Sequence, residues 1–171
     1  MNLQPTLKGD FIYLRPLQPN DYQGLFKAAS DPLIWEMHPQ PDRYKPDVFE
    51  KFFKEAIESK GALAVINQTT NEIIGTSRYY DHSSEKSSVV IGYTFLVRKY
   101  WGGTFNRELK KLMVNYALQF VKSTYFHVGI NNVRSQKAML KIGAVNTGIE
   151  EIPVSYSAPK KSYVFKIDKP L

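Results

Sequence analysis

The chain has 171 residues, 43% hydrophobic and 13% aromatic against 23% charged; this is enough apolar material for one ordinary core and excludes a polar, aromatic-poor disordered chain. It contains no cysteine, so a disulfide framework, a thiolate zinc site and a thiol nucleophile are excluded. The formal charge of +7 favours anionic partners, yet the basic residues are spread along the chain in nothing longer than pairs such as Lys110-Lys111 and Lys160-Lys161, which argues against nucleic-acid binding as the primary role.

The opening residues lack the basic start and apolar core of a signal peptide, and no apolar run reaches the ~18 residues of a membrane span, so the expected address is cytoplasmic. Phe11 to Pro16 reads as a strand, and Asn20 or Asp21 caps a helix with Tyr22, Leu25, Phe26 and Ala29 on one face. Pro32 breaks it, an aromatic, proline-rich loop runs from Leu33 to Pro46, and Asp47 is expected to cap a second helix that stops at Gly61. Ala62 to Asn67 and Glu72 to Tyr80 have hairpin spacing, and Ser88 to Val97 completes a predicted antiparallel meander. After Gly102-Gly103, Phe105, Leu109, Leu112, Met113, Tyr116, Ala117 and Phe120 recur at steps of three and four, the stripe of a long amphipathic helix. His127 to Ile130 reads as a short strand, Asn131 or Asn132 caps a helix that Gly143 ends, and strands near 145–152 and 162–167 close the chain. The order β-α-α-β-β-β-α-β-α-β-β predicts a mixed α+β sheet in a single domain over residues 1–171.

Two junctions carry chemistry. Ile91 to Glu108 is strand, glycine turn and long helix, and the free amides and dipole of such a helix start suit a pyrophosphate. About thirty residues on, Asn132-Val133-Arg134-Ser135 opens another helix with polar groups in its first turn, where ordinary capping accounts for Asn132 and Ser135 equally well.

With these blocks in view, the chain resembles the GNAT superfamily of N-acetyltransferases, in the branch of the ribosomal-protein N-acetyltransferases. Leu14-Arg15-Pro16-Leu17 with Asp21 is similar to that branch's opening, Ile91-Gly92-Tyr93 through Tyr100-Trp101-Gly102 to its central strand and pyrophosphate loop, and Asn132-x-x-Ser135 with Lys141-Ile142-Gly143-Ala144 to its later motif. The resemblance implies a twisted, mostly antiparallel sheet of six to seven strands flanked by about four helices, with a splayed central strand at the cofactor site. It implies acetyl-CoA as cosubstrate, no metal, and an amine acceptor, and it leaves a homodimer open. Cofactor contacts are expected from Phe95 and Val97 on the strand, from Trp101, Gly102, Gly103, Thr104, Phe105 and Asn106 in the loop, and from Asn132 and Ser135. The glycines are shifted relative to the family pattern; Thr104 is expected to cap the helix and Asn106 to offer an amide to a phosphate. Gly103 is expected to be confined by cofactor approach or by its backbone angle.

Two residues are assigned to the reaction by the resemblance: the Val97 amide as oxyanion donor and Ser135 as the acid for the departing thiolate, since Met139 stands where many family members have a tyrosine. Ser135 is alternatively a first-turn cap. Glu36, His38 and Asp81 are candidate bases, none in a diagnostic spacing; His127 reads as structural, and Glu108 as structural or dipole-stabilising. A non-catalytic acetyl-CoA sensor and a basic nucleic-acid module are the alternatives to an enzyme.

Overall fold

A computed structural model describes residues 1–155 and 157–171. The elements in chain order are β1 (Leu7–Lys8), β2 (Ile12–Pro16), α1 (Tyr22–Ala29), α2 (Pro46–Glu58), β3 (Ala62–Asn67), β4 (Ile73–Ser83), β5 (Ser88–Leu96), α3 (Thr104–Ala117), β6 (Ser123–Gly129), α4 (Val133–Lys141), β7 (Val145–Val154) and β8 (Ser157–Ile167). The strands form one sheet in the order β1-β2-β3-β4-β5-β6-β8-β7. Among the described residues this makes eight strands rather than six or seven, because the two-residue β1 pairs with β2 through Leu7 and Lys8. No helix among these residues is long and apolar enough to cross a membrane.

Every neighbouring pair is antiparallel except β5 and β6, which α3 joins by the crossover that parallel strands require. Their pairing is brief: Ser88, Val89 and Val90 meet Ser123, Thr124 and Tyr125, and beyond that point the strands part. β6 begins at Ser123, four residues before the expected start at His127, since Ser123 pairs with Ser88 on β5, Thr124 has partners on both edges, and Thr124 Oγ1 also donates to the Ile167 carbonyl at 3.2 Å.

β3 shows how the sheet divides the interior. Leu63 and Val65 join Ile12, Leu14, Ile74 and Tyr79 under the apolar stripe of α3, Leu109, Met113, Val114 and Ala117. Ala62, Ala64 and Ile66 face the other way, onto Leu25 of α1 and Phe49, Phe52 and Phe53 of α2. This alternation is the two-residue period of a strand covered on both faces. Helix α2 starts two residues earlier than expected: Pro46 occupies its first turn, Lys45 is the N-cap, and Asp47 lies inside the first turn instead of capping it. Gly143 closes α4 at φ +80°, the left-handed stop expected of it.

Candidate active site

The parting of β5 from β6 opens a cleft of about 1260 Å³ that runs from the start of α3, past α4, to the loop between α1 and α2. At its α3 end Gly102 and Gly103 line the wall, and Gly103 is the N-cap of α3 with no side-chain hydrogen bond. The amides of Thr104, Phe105 and Asn106 are therefore left to solvent or ligand, at the positive end of the helix dipole. Asn106 and Arg107 flank them on the cleft wall.

The expected loop contacts divide. Trp101, Gly102, Gly103 and Asn106 line the cleft, as do Asn132 and Ser135. Phe105 does not: its ring packs against Tyr100 at 4.5 Å and Phe11 at 5.7 Å, so only its amide is available to a ligand. Thr104 is the first helical residue and not the cap, which is Gly103. The glycine with a demanding backbone angle is Gly102, at φ +67°; Gly103 has φ −126°, and a Cβ on it would come no closer than 3.8 Å to the Trp101 carbonyl.

Val97 departs from its expected role. Its N–H donates to the Ile74 carbonyl at 2.9 Å, and Phe95 stands opposite Thr76 in the same β4–β5 ladder, so the Val97 amide is spent on the sheet. Amides alternate in direction along a strand, which turns the intervening Leu96 away from β4 and toward the cleft. The Trp101 indole bears this out by donating to the Leu96 carbonyl at 2.8 Å. This phase is set by a bulge: between the pairs Arg78 with Gly92 and Thr76 with Phe95, β5 carries an extra residue, and Tyr93 sits at φ +52°.

At α4, Asn132 Oδ1 accepts the Ser135 amide at 3.2 Å. Asn132 is thus the cap, and the half-buried Ser135 keeps its hydroxyl free of any hydrogen bond among the described residues. Met139 is buried in the core beneath the cleft wall.

The base candidates also separate. Glu36 is exposed and lies off the cleft, while Asp81 is exposed on its wall. His38 lines the cleft but is half-buried, edge-on against Trp35, and Arg43 Nη1 lies 3.2 Å from its Nε2. Burial, then the charges of Arg43 and Arg134, hold it well below the usual histidine range, which suits a neutral packing group better than a base. His127 was expected to be structural and instead lines the cleft, where its Nδ1 lies 3.1 Å from the Tyr80 hydroxyl. Burial lowers its pKa, opposed by Asp81 and Glu150, so it is neutral at pH 7. Nothing in local sequence pairs Tyr80 with His127; the sheet order, which sets β4 and β6 on either side of β5, does.

Two more groups on the cleft were given no role from the sequence. Arg134 stacks over Trp101 at 3.7 Å and donates to the Ile34 carbonyl at 3.2 Å, tying α4 to the loop before α2. Lys110 lies within the cleft, 6% exposed, with Nζ 3.3 Å from Thr94 Oγ1. Its signal was legible: Lys110 falls in register with Met113, Val114 and Ala117, a cation on the buried stripe of the helix. Glu108 takes up the amides of Asp10, Phe11 and Ile12 at 2.7, 2.9 and 2.9 Å, a structural part.

A helix start with free amides beside a splayed, mostly antiparallel sheet is a site built to take a phosphorylated ligand at the mouth of the gap. Residues 12–145 match the family model of the GNAT acetyltransferase domain, and the chain belongs to that family; its cosubstrate is acetyl-CoA. No curated protein matches the sequence. Among solved structures the fold is similar to a GCN5-related N-acetyltransferase from Brucella melitensis, at 17% identity and TM-score 0.80, covering 96% of this chain and 78% of the other. It is also similar to the ribosomal-protein-S5-alanine acetyltransferase of Vibrio fischeri, at 15% identity and TM-score 0.70, covering 97% and 100%. A third is Mycobacterium smegmatis RimJ in complex with CoA-disulfide, at 13% identity and TM-score 0.71, covering 96% and 86%.

Proposed function

We propose that the chain, as one domain, transfers the acetyl group of acetyl-CoA to a primary amine, a protein N-terminus or a small-molecule amine, by direct attack in a ternary complex. The observation that carries this reading is the parting of β5 and β6 beside the uncapped start of α3. The pyrophosphate lies on the amides of Thr104, Phe105 and Asn106, and the pantetheine arm runs into the gap toward the thioester.

The acceptor enters from the side of the α1–α2 loop. Its neutral amine attacks the thioester carbonyl, and the Leu96 amide, preorganised toward the gap, receives the developing oxyanion in the part first given to Val97. An alkyl ammonium arrives protonated at neutral pH, so a base must take a proton; His127, neutral and held by Tyr80, is that base. Collapse of the intermediate breaks the C–S bond, and Ser135 meets the thiolate with its hydroxyl.

Thermal melting with acetyl-CoA followed by thiol release across an amine panel tests the reading. Acetyl-CoA at a hundredfold excess over Kd should stabilise the protein by ~2.7 kcal/mol, and at least one amine class should release CoA. A flat melting response sinks the cofactor site. Stabilisation without thiol release on any amine makes the protein an acetyl-CoA sensor.

A further inference from the structure

Lys110 is a buried ionisable group on the cleft wall that this mechanism does not use. It projects from the buried stripe of α3, seven residues past the N-cap, or ~10 Å along the helix axis at 1.5 Å per residue. Its ammonium rests between the two strands that part: 3.3 Å from Thr94 Oγ1 on β5 and 4.9 Å from the ring centre of Phe126 on β6. Phe126 is the first residue of β6 beyond the last β5–β6 pair, Val90 with Tyr125, so the charge stands where the gap opens. Thr94 is anchored in turn by Ser77 at 2.8 Å.

No ion pair among the described residues includes Lys110. A buried, unpaired ammonium is costly, and burial alone pushes its pKa down to about 8. Arg107, Lys137 and Lys141, and the carboxylates of Asp81, Glu150 and Glu151, line other parts of the cleft; none of them contributes to that shift. Around the ammonium, β5 presents a hydroxyl and β6 an aromatic ring. The site lacks an anion.

We infer that Lys110 is the cation that stabilises the CoA thiolate as it leaves, on the evidence of its place in the mouth of the β5–β6 gap. The inference rests on the proposed path of the thioester into that gap. The C–S bond breaks with both electrons passing to sulfur, the negative charge forms beside the ammonium in a poorly solvated site, and the proton lost by the amine leaves through His127. Lys110 itself neither gains nor loses a proton in this step, and Ser135 remains the hydrogen-bond donor to the sulfur. An ammonium there is worth far more than in water, because it needs no reorganisation when the charge appears.

The thiol of bound CoA reports this charge without any acceptor amine. Thiolate absorbance is titrated on complexes of CoA with the wild type, Lys110→Met and Lys110→Arg. In the wild type the bound thiol should titrate at least one unit below the ordinary ~8.5 of a free thiol. Lys110→Met should return it to that value or above, and Lys110→Arg should keep it depressed. Should the methionine variant fail to fold, Lys110→Gln serves the same comparison. With an accepted amine, kcat should fall at least tenfold in Lys110→Met while KM for acetyl-CoA stays within about twofold. Equal thiol pKa in the wild type and the uncharged variants overturns the inference. Absence of turnover on every amine would instead reject the proposed transfer, and the titration would still decide for or against Lys110.

Discussion

Asn132 and Ser135 share one turn of helix but divide its tasks. Because Asn132 Oδ1 holds the Ser135 amide at 3.2 Å, Asn132→Ala should cost about 1 kcal/mol of stability, measured by denaturant unfolding. Ser135→Ala should leave the cap intact and lower kcat ~10²-fold with little change in acetyl-CoA affinity, if the serine acts on the thiolate. A melting temperature and kcat both close to wild type would give the thiolate to water and Lys110 alone. The two loop glycines are separable in the same manner. Gly102, at φ +67°, should lose about 1 kcal/mol on replacement by alanine, while Gly103→Ala, with no neighbour inside 3.8 Å, should melt like the wild type. Any effect of Gly103→Val on CoA binding would then come from the cofactor's own approach to the helix start. Calorimetry with acetyl-CoA on the folded variants separates the two.

At the scale of elements, the site depends on how α3 is seated. The Glu108 carboxylate accepts three consecutive amides from the turn between β1 and β2, and a Cβ on Gly9 would meet that carboxylate at 2.5 Å. The helix that presents the phosphate-binding amides is thus pinned one turn after its start to the far edge of the sheet. Glu108→Gln keeps one acceptor oxygen and replaces the other with a donor facing N–H groups, so stability should fall by ~2–4 kcal/mol. Acetyl-CoA affinity should weaken with it, because the amides of Thr104 to Asn106 lose their fixed position. An unchanged unfolding midpoint would show that the contact is solvent-screened and dispensable. The β5 bulge acts on the other wall: Tyr93 at φ +52° sets which amides of the strand serve β4 and which face the gap.

At the scale of the whole molecule, packing makes stability depend on pH. His38 is half-buried against Trp35 with Arg43 and Arg134 nearby, and desolvation and those two charges hold its folded pKa well below the ordinary 6.5. The unfolded chain therefore binds more protons than the native one as pH falls below ~6.5, and stability drops with falling pH through that window. Melting temperatures taken from pH 7.5 to 5 should fall, and His38→Gln should flatten that part of the profile. A wild-type curve that is level there would mean that His38 is hydrated and free to titrate.

The order of helices and strands from Ile12 onward was legible because each amphipathic element repeats with the period of its own geometry, as in the stripe Leu109, Met113 and Ala117. The glycine turn before α3 and the Asn132 cap were legible for the same reason: capping and turn chemistry act over three or four residues. The short strand Leu7–Lys8 escaped, since two residues carry no period. The site's chemistry is of another kind. Which strand amide faces the gap follows from a bulge and a ladder partner at Ile74, more than twenty residues from Val97. The approach of Tyr80 to His127, the burial that keeps His38 neutral, and the isolation of Lys110 between Thr94 and Phe126 all depend on sheet order and solvent exclusion. Local pattern sufficed for the elements from Ile12 onward, the Asn132 cap, the Gly143 stop and the family, whereas the meeting of polar groups in the cleft was settled by the packed fold, because amide direction, desolvation and proximity exist only once distant strands have paired.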